Sequence, residues 1–215
     1  MSKKFFWIIG IAAACLIIGV IMFKGSRGQT AAIEYEGQPF KGDKEAPVNI
    51  VEFGDYKCPH CKVFNENAVP EIQKELIDTG KAKFYTMNYP FMAPDSTIAA
   101  KFAETVYKEL GNQTFWKFHD LLFANQTDKA GKENVLKEPL LEAVLAEVAS
   151  PEDTNKVMDA FGKGKGNAGL KKDEAMAKRL DIQSTPSIYV NGKLFEGKSI
   201  DDLKKMVEDA TANGQ

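Results

Sequence analysis

The sequence predicts an α/β fold: a central sheet whose first two core strands flank a helix, with an all-helical insertion after them and an apolar segment ahead of them. Three observations carry this expectation. An apolar run, Val48 to Phe53, leads into Cys58-Pro59-His60-Cys61, a helically spaced stretch and a second apolar run ending at Pro90. Residues 95 to about 165 then read as helix after helix. Thr185-Pro186 opens a last apolar strand, and Asn191-Gly192 folds it into a tight hairpin.

The 215 residues carry a formal net charge of −2. Lys3, Lys4, Lys24 and Arg27 are the charges of residues 1–27; the rest holds 24 basic against 30 acidic residues, a net −6. A mildly acidic domain argues against nucleic acid as its partner. Phe5 to Phe23 is a run of 19 uncharged residues, near the ~20 that span a bilayer. The small residues Ala12, Ala13 and Ala14 fall in its middle rather than at its end, which favours a retained anchor over a cleaved signal. Cys15 lies inside that run and reads as a passive membrane-helix residue. Lys24 to Thr30 reads as a linker. Residues 1–30 are therefore expected to be a membrane anchor or signal with a linker. Residues 31–215 form the domain, with an insertion at about 92–165.

Within the domain, Ile33-Glu34-Tyr35 is a candidate edge strand, and Gly42 to Pro47 a turn into the core strand Val48–Phe53. Val63, Phe64, Ala68, Val69, Ile72, Leu76 and Ile77 fall at helical spacing, closed by Gly80 and kinked by Pro70. Lys81 to Tyr89 is the next strand, parallel to the first by a right-handed crossover. In the insertion, Asp95 or Ser96 is a candidate cap for a helix stopped by Gly111. Phe115 to Phe123 is a second, aromatic-rich helix whose Phe, Trp and His119 side chains read as core. Leu140–Val148 and Asp153–Phe161 are shorter helices. Gly162, Gly164, Gly166 and Gly169 alternate with lysines and read as a flexible joint rather than a nucleotide loop, since no strand precedes them. Ala168–Leu180 is a helix, and Ser199 caps a last one through Leu203 and Val207.

The chemistry concentrates at Cys58-Pro59-His60-Cys61. A strand feeding a helix through C-x-x-C is a redox motif. With Cys58 as the N-cap, its sulfur faces unpaired backbone N–H groups and the positive end of the helix dipole. Pro59 then takes the first helical position, where its missing N–H costs nothing. His60, when protonated, adds positive charge. Cys58 is expected to be the exposed, reactive thiol. A thiol pKa lowered by ~5 units stabilises the thiolate by ~7 kcal/mol at ~1.36 per unit. At ~1.4 kcal/mol per ~30 mV, this moves the couple ~150 mV toward oxidant. Cys58, His60 and Cys61 are also three potential zinc ligands, but a structural zinc site brings a second cysteine pair and no Cys follows Cys61. There is no EF-hand loop; a calcium ion at an irregular site stays open.

Cys-Pro-His-Cys resembles the active site of DsbA-type thiol–disulfide oxidoreductases of the thioredoxin superfamily. The Phe115-Trp116-Lys117-Phe118-His119-Asp120 string resembles their helical insert. The layout of residues 31 to about 211 is similar to the membrane-tethered, BdbD-like group. The resemblance implies a thioredoxin-like fold and oxidation of thiols in reduced exported proteins through a Cys58–Cys61 disulfide, with no cofactor beyond it. Glu52 matches the buried acid that moves protons in these enzymes; its own pattern leaves open a solvated strand-edge residue. Thr185-Pro186 matches their cis-proline turn, facing the disulfide and binding substrate backbone; an ordinary trans turn is the alternative. Lys57 stands where many relatives are aromatic, a difference that bears on substrate preference. A DsbB-like, quinone-linked membrane partner would reoxidise the pair, which implies a single-pass membrane protein with its catalytic domain outside the cytoplasm. A reductase or isomerase on the same fold is the alternative; such isomerases are dimers with a dimerisation region, and none reads here, so a monomer is expected.

Overall fold

A computed structural model describes residues 30–126 and 135–212. The expected membrane segment, residues 5–23, lies outside the described residues. Among the described residues no helix is long and apolar enough to cross a membrane. The chain divides into Met1–Ala32 and Ile33–Gln215; every element below belongs to the second unit.

The sheet is built from β1 (Phe40–Lys41), β2 (Val48–Gly54), β3 (Ala82–Asn88), β4 (Ser187–Val190) and β5 (Lys193–Leu194), in the order β1-β3-β2-β4-β5. β2 and β3 are parallel, Val48 opposite Ala82; the other pairings are antiparallel. Both faces are covered, so β2 is buried along nearly its whole length, Asn49 apart, as strands covered on two sides are. Side chains alternate. Val48 and Ile50 enter one core with the insertion; Val51 and Phe53 enter the other with Met176 and Tyr189. Glu52 falls in register with Ile50.

The helix after the Cys pair runs through α1 (Pro59–Val63), a π-helical stretch Phe64–Ala68, α2 (Val69–Ile72) and a second π-helical stretch Gln73–Ile77. Pro70 lacks an N–H and crowds the carbonyl four residues back; the widened turn just before it accommodates both. The insertion holds α3 (Pro94–Ala124), α4 (Glu138–Ala146) and α5 (Pro151–Gly162). α3 breaks at Gly111, whose φ of 77° is left-handed. α6 (Asn167–Arg179) and α7 (Ile200–Ala212) complete the domain. Ser199 Oγ accepts from the Asp202 amide at 3.1 Å, capping α7.

Several expectations are corrected. Ile33–Tyr35 is not a strand; the Tyr35 ring packs on Tyr85 at 4.6 Å, and a turn through Gly37 delays pairing until Phe40. β1 is held from its open side by Asn112, whose Oδ1 accepts from Phe40 N at 2.9 Å and whose Nδ2 donates to Phe40 O at 2.6 Å. α3 starts one residue before Asp95, at Pro94, with Ala93 as its cap. The expected joint at Gly166 and Gly169 is a tight contact. A Cβ at Gly166 would collide with the Lys101 carbonyl, and one at Gly169 with the Glu104 carboxyl. That carboxyl is buried beside Asp173; Asn88 Nδ2 donates to Glu104, and Asn88 N and Gln38 Nε2 to Asp173, each at 2.7 Å.

Candidate active site

Cys58 is the N-cap of α1 and Pro59 follows at its first turn. The extended cap geometry turns the sulfur back over the first amides of the helix. The Cys58 amide donates to Asp55 O at 2.9 Å, and Lys62 N returns to Cys58 O at 3.1 Å. Both cysteines are free thiols. Cys58 is not exposed as expected: only 3% of its surface reaches solvent, because the turn at Thr185-Pro186 covers it. It remains the more accessible of the pair, Cys61 being fully enclosed.

The Thr185–Pro186 peptide is cis. The Cys58 thiol donates to the Thr185 carbonyl at 3.3 Å. Donation from the Cys61 thiol, then from the Thr185 hydroxyl and the backbone N–H groups of Cys61 and His60, brings the Cys58 thiol down to about 5 against the opposing effect of burial. His60 contributes its backbone N–H, and its side chain is exposed. Burial drives Cys61 the other way, far above the usual thiol range, with the Cys58 thiol, Glu52 and the Cys58 charge adding to the rise. One helix turn thus holds one thiol that ionises easily and one that resists ionisation.

Glu52 is buried, not a solvated edge residue. Its two carboxyl oxygens have no close hydrogen-bond partner among the described residues. Burial pushes its carboxyl up to about 8, the Cys58 charge adds to this, and the Cys61 thiol offsets part. It shares a pocket with Cys61 that Gly54 leaves open: a Cβ on Gly54 would sit 3.2 Å from Glu52 Oε1 and 3.8 Å from Cys61 Sγ.

Other residues around the pair were not legible as site residues. Lys57 has no solvent exposure, and its ammonium pairs with Asp95 at 2.9 Å, so it cannot greet a substrate. Asp95 Oδ2 also accepts from Leu136 N at 3.1 Å. Gln126 Nε2 donates to the carbonyls of Tyr56 at 2.7 Å and Cys58 at 3.3 Å, while its own backbone carbonyl accepts from Lys62 Nζ at 2.8 Å. His119 is a core residue bonded through Nδ1 to the Tyr56 hydroxyl at 2.9 Å. Burial, with the Lys41 charge, lowers it to about 3, so the ring is neutral. Among the described residues no group of three or more His, Cys, Asp or Glu side chains is placed to hold a metal. A groove of about 450 Å³ begins at Pro186 and runs past Ile188, Leu194, Phe195 and Phe64.

The pair stands on a helix N-terminus facing a cis-proline turn, as the resemblance implied, but as free thiols rather than the expected disulfide. The sequence matches the thioredoxin family profile over residues 34–209. The chain belongs to the thioredoxin family. Among its family relatives, disulfide bond formation protein D of Bacillus subtilis is 38% identical over 174 residues, 80% of this chain and 77% of that protein. A probable disulfide bond formation protein D of Bacillus cereus is 32% identical over 201 residues, 91% of each chain. The crystal structure of oxidised BdbD from Bacillus subtilis superposes with a TM-score of 0.78 at 35% identity, covering 85% of this chain and 97% of that one. DsbA from Chlamydia trachomatis shares the fold, with a TM-score of 0.72 at 20% identity over 86% of this chain and 97% of that one. The α/β sheet with a helical insertion is the thioredoxin-family fold in this form.

Proposed function

We propose that this chain is a thiol–disulfide oxidoreductase that oxidises the thiols of exported proteins through Cys58 and Cys61. The observation that carries it is the asymmetry of the pair: Cys58 over open helix amides and under Thr185, Cys61 enclosed beside Glu52. The relatives named for disulfide bond formation support the same direction.

In the proposed cycle the enzyme starts as the Cys58–Cys61 disulfide. A substrate thiolate attacks Cys58 Sγ, the Cys58–Cys61 bond breaks, and Cys61 leaves with the electron pair. Cys61 is held where a thiolate is costly, so it must take a proton, and Glu52, protonated near neutral pH, is the donor beside it. A second substrate thiolate attacks the substrate sulfur of the mixed disulfide, and Cys58 leaves as a stabilised thiolate. Two substrate thiols are oxidised and the enzyme disulfide is reduced by two electrons. Thr185 and Pro186 present backbone to an extended substrate segment lying in the adjoining groove. The uncharged run at residues 5–23 supports a membrane-tethered, extracytoplasmic setting, where a quinone-linked membrane protein of DsbB type would restore the disulfide and the chain would work as a monomer.

The test is the reduction potential of the purified full-length chain, equilibrated with glutathione. A value near that of DsbA, about −120 mV, is expected; a value near that of thioredoxin, about −270 mV, overturns the oxidase reading in favour of a reductase.

A further inference from the structure

Asp55 is the first residue beyond β2 and lies three before Cys58. Its carboxylate is buried at 2% exposure. Oδ1 accepts from the Lys57 amide at 2.8 Å, closing a turn within the redox loop. Oδ2 accepts from the amides of Phe91 and Met92, each at 3.0 Å, in the segment that follows β3. Its main chain is engaged as well: the carbonyl accepts from Cys58 N at 2.9 Å, and the N–H faces the Cys61 sulfur. One residue therefore touches the backbone of one cysteine, the sulfur of the other, and a second segment across the sheet end.

We infer that Asp55 is a positioning residue for the thiol exchange, holding the Asp55–Cys58 turn so that the Cys58 sulfur stays over the first amides of α1. This rests on the function proposed above. The physical link is short. The amides of His60 and Cys61 stabilise a thiolate only while the sulfur is aimed at them, and that aim is fixed by the turn immediately before the cap. A carboxyl group is suited to this work because its oxygens accept from three backbone N–H donors. Without it, the buried Lys57 amide and the part-buried Phe91 and Met92 amides lose their acceptor.

The experiment compares Asp55→Ala, Asp55→Asn and a control, Leu170→Ala, in the full-length chain. Leu170 is buried in α6, and its truncation lowers the stability of both redox forms alike. Two readouts are taken: the equilibrium constant with glutathione and the ultraviolet titration of the Cys58 thiolate. Asp55→Ala is expected to shift the equilibrium at least tenfold toward the enzyme disulfide and to raise the thiolate midpoint by about one unit. Asp55→Asn keeps an acceptor for Lys57 but turns an NH₂ toward Phe91 and Met92; it is expected to shift the equilibrium at least threefold. Leu170→Ala should leave both readouts unchanged. If Asp55→Ala fails to fold, Asp55→Asn decides. Constants within twofold of the parent for the folded Asp55 variants, or a shift equal to that of Leu170→Ala, overturn the inference. A parent chain with a potential near that of thioredoxin would instead sink the oxidase reading, leaving the comparison among variants intact.

Discussion

The Cys58 thiol and the Thr185 carbonyl, 127 residues apart in sequence, meet at 3.3 Å across the mouth of the site. The hydroxyl of the same threonine is buried with no hydrogen-bond partner among the described residues, and it is the donor that favours the thiolate form of Cys58. Thr185→Val keeps the shape and removes that donor. A hydrogen bond to a charged group is worth about 1.5–3 kcal/mol, or roughly 1–2 pKa units. The Cys58 midpoint should rise by about that much from its value near 5, and the potential should fall by about 30–60 mV. Thiolate absorbance and glutathione equilibration measure the two.

The low Cys58 value also predicts how the two redox forms diverge with pH. The folded thiol titrates at about 5, below its ordinary 9.0, so the unfolded chain binds more protons between these values. This contribution is complete above pH 9 and is lost as pH falls through 5. Oxidised protein has no such thiol. The stability of the reduced form relative to the oxidised form should therefore grow from pH 5 to pH 9, as denaturant unfolding of both forms at each pH will show.

Glu52 carries the opposite sign. Its carboxyl is raised from 4.5 to about 8, so the folded chain holds the extra proton in that window and loses stability as pH rises through it. Glu52→Gln should be most stabilising relative to the parent above pH 8 and nearly neutral below pH 4.5. It should also slow substrate oxidation by about 10²-fold, the low end for a positioned proton donor. Stopped-flow rates of the parent should themselves decline above pH 8, and those of the variant should not.

Lys57 and Asp95 form an ion pair without solvent contact. Removing one partner strands the other. Lys57→Met or Asp95→Leu alone should cost about 3–5 kcal/mol, and the double variant Lys57→Met, Asp95→Leu should recover most of it. Urea midpoints of the four proteins complete the cycle.

What could be read in advance was local. The period of β2 and β3, the Cys58-Pro59-His60-Cys61 start of α1 and the Asn191-Gly192 turn each declare themselves within a few residues. Glu52 came from the resemblance alone; its own pattern left a solvated strand edge open, which the cover on both faces of β2 rules out. Lys57 was not legible: lysine is an exposed residue by default, and its buried ammonium pairs with Asp95, 38 residues away. Asp55 had a partial signal, an Asx turn, but two of its three amide partners lie beyond β3. The glycines at 166 and 169 looked like a hinge because they end a run in which Gly162, Gly164 and Gly166 alternate with Lys163 and Lys165. Their i,i+3 spacing, one face of a helix pressed on Glu104, was the available cue.

Asn112, set just past the break in α3, occupies both main-chain groups of Phe40 with a single side-chain amide. At the opposite end of the sheet, β5 stops after two residues. A worker that handles extended, sticky polypeptides all day would be endangered by an open ladder of its own, since any passing chain could be recruited onto it and go on to seed aggregates. Here one border is sealed by an asparagine and the other is cut short, so in the proposed role a client would meet the redox loop with no open ladder beside it.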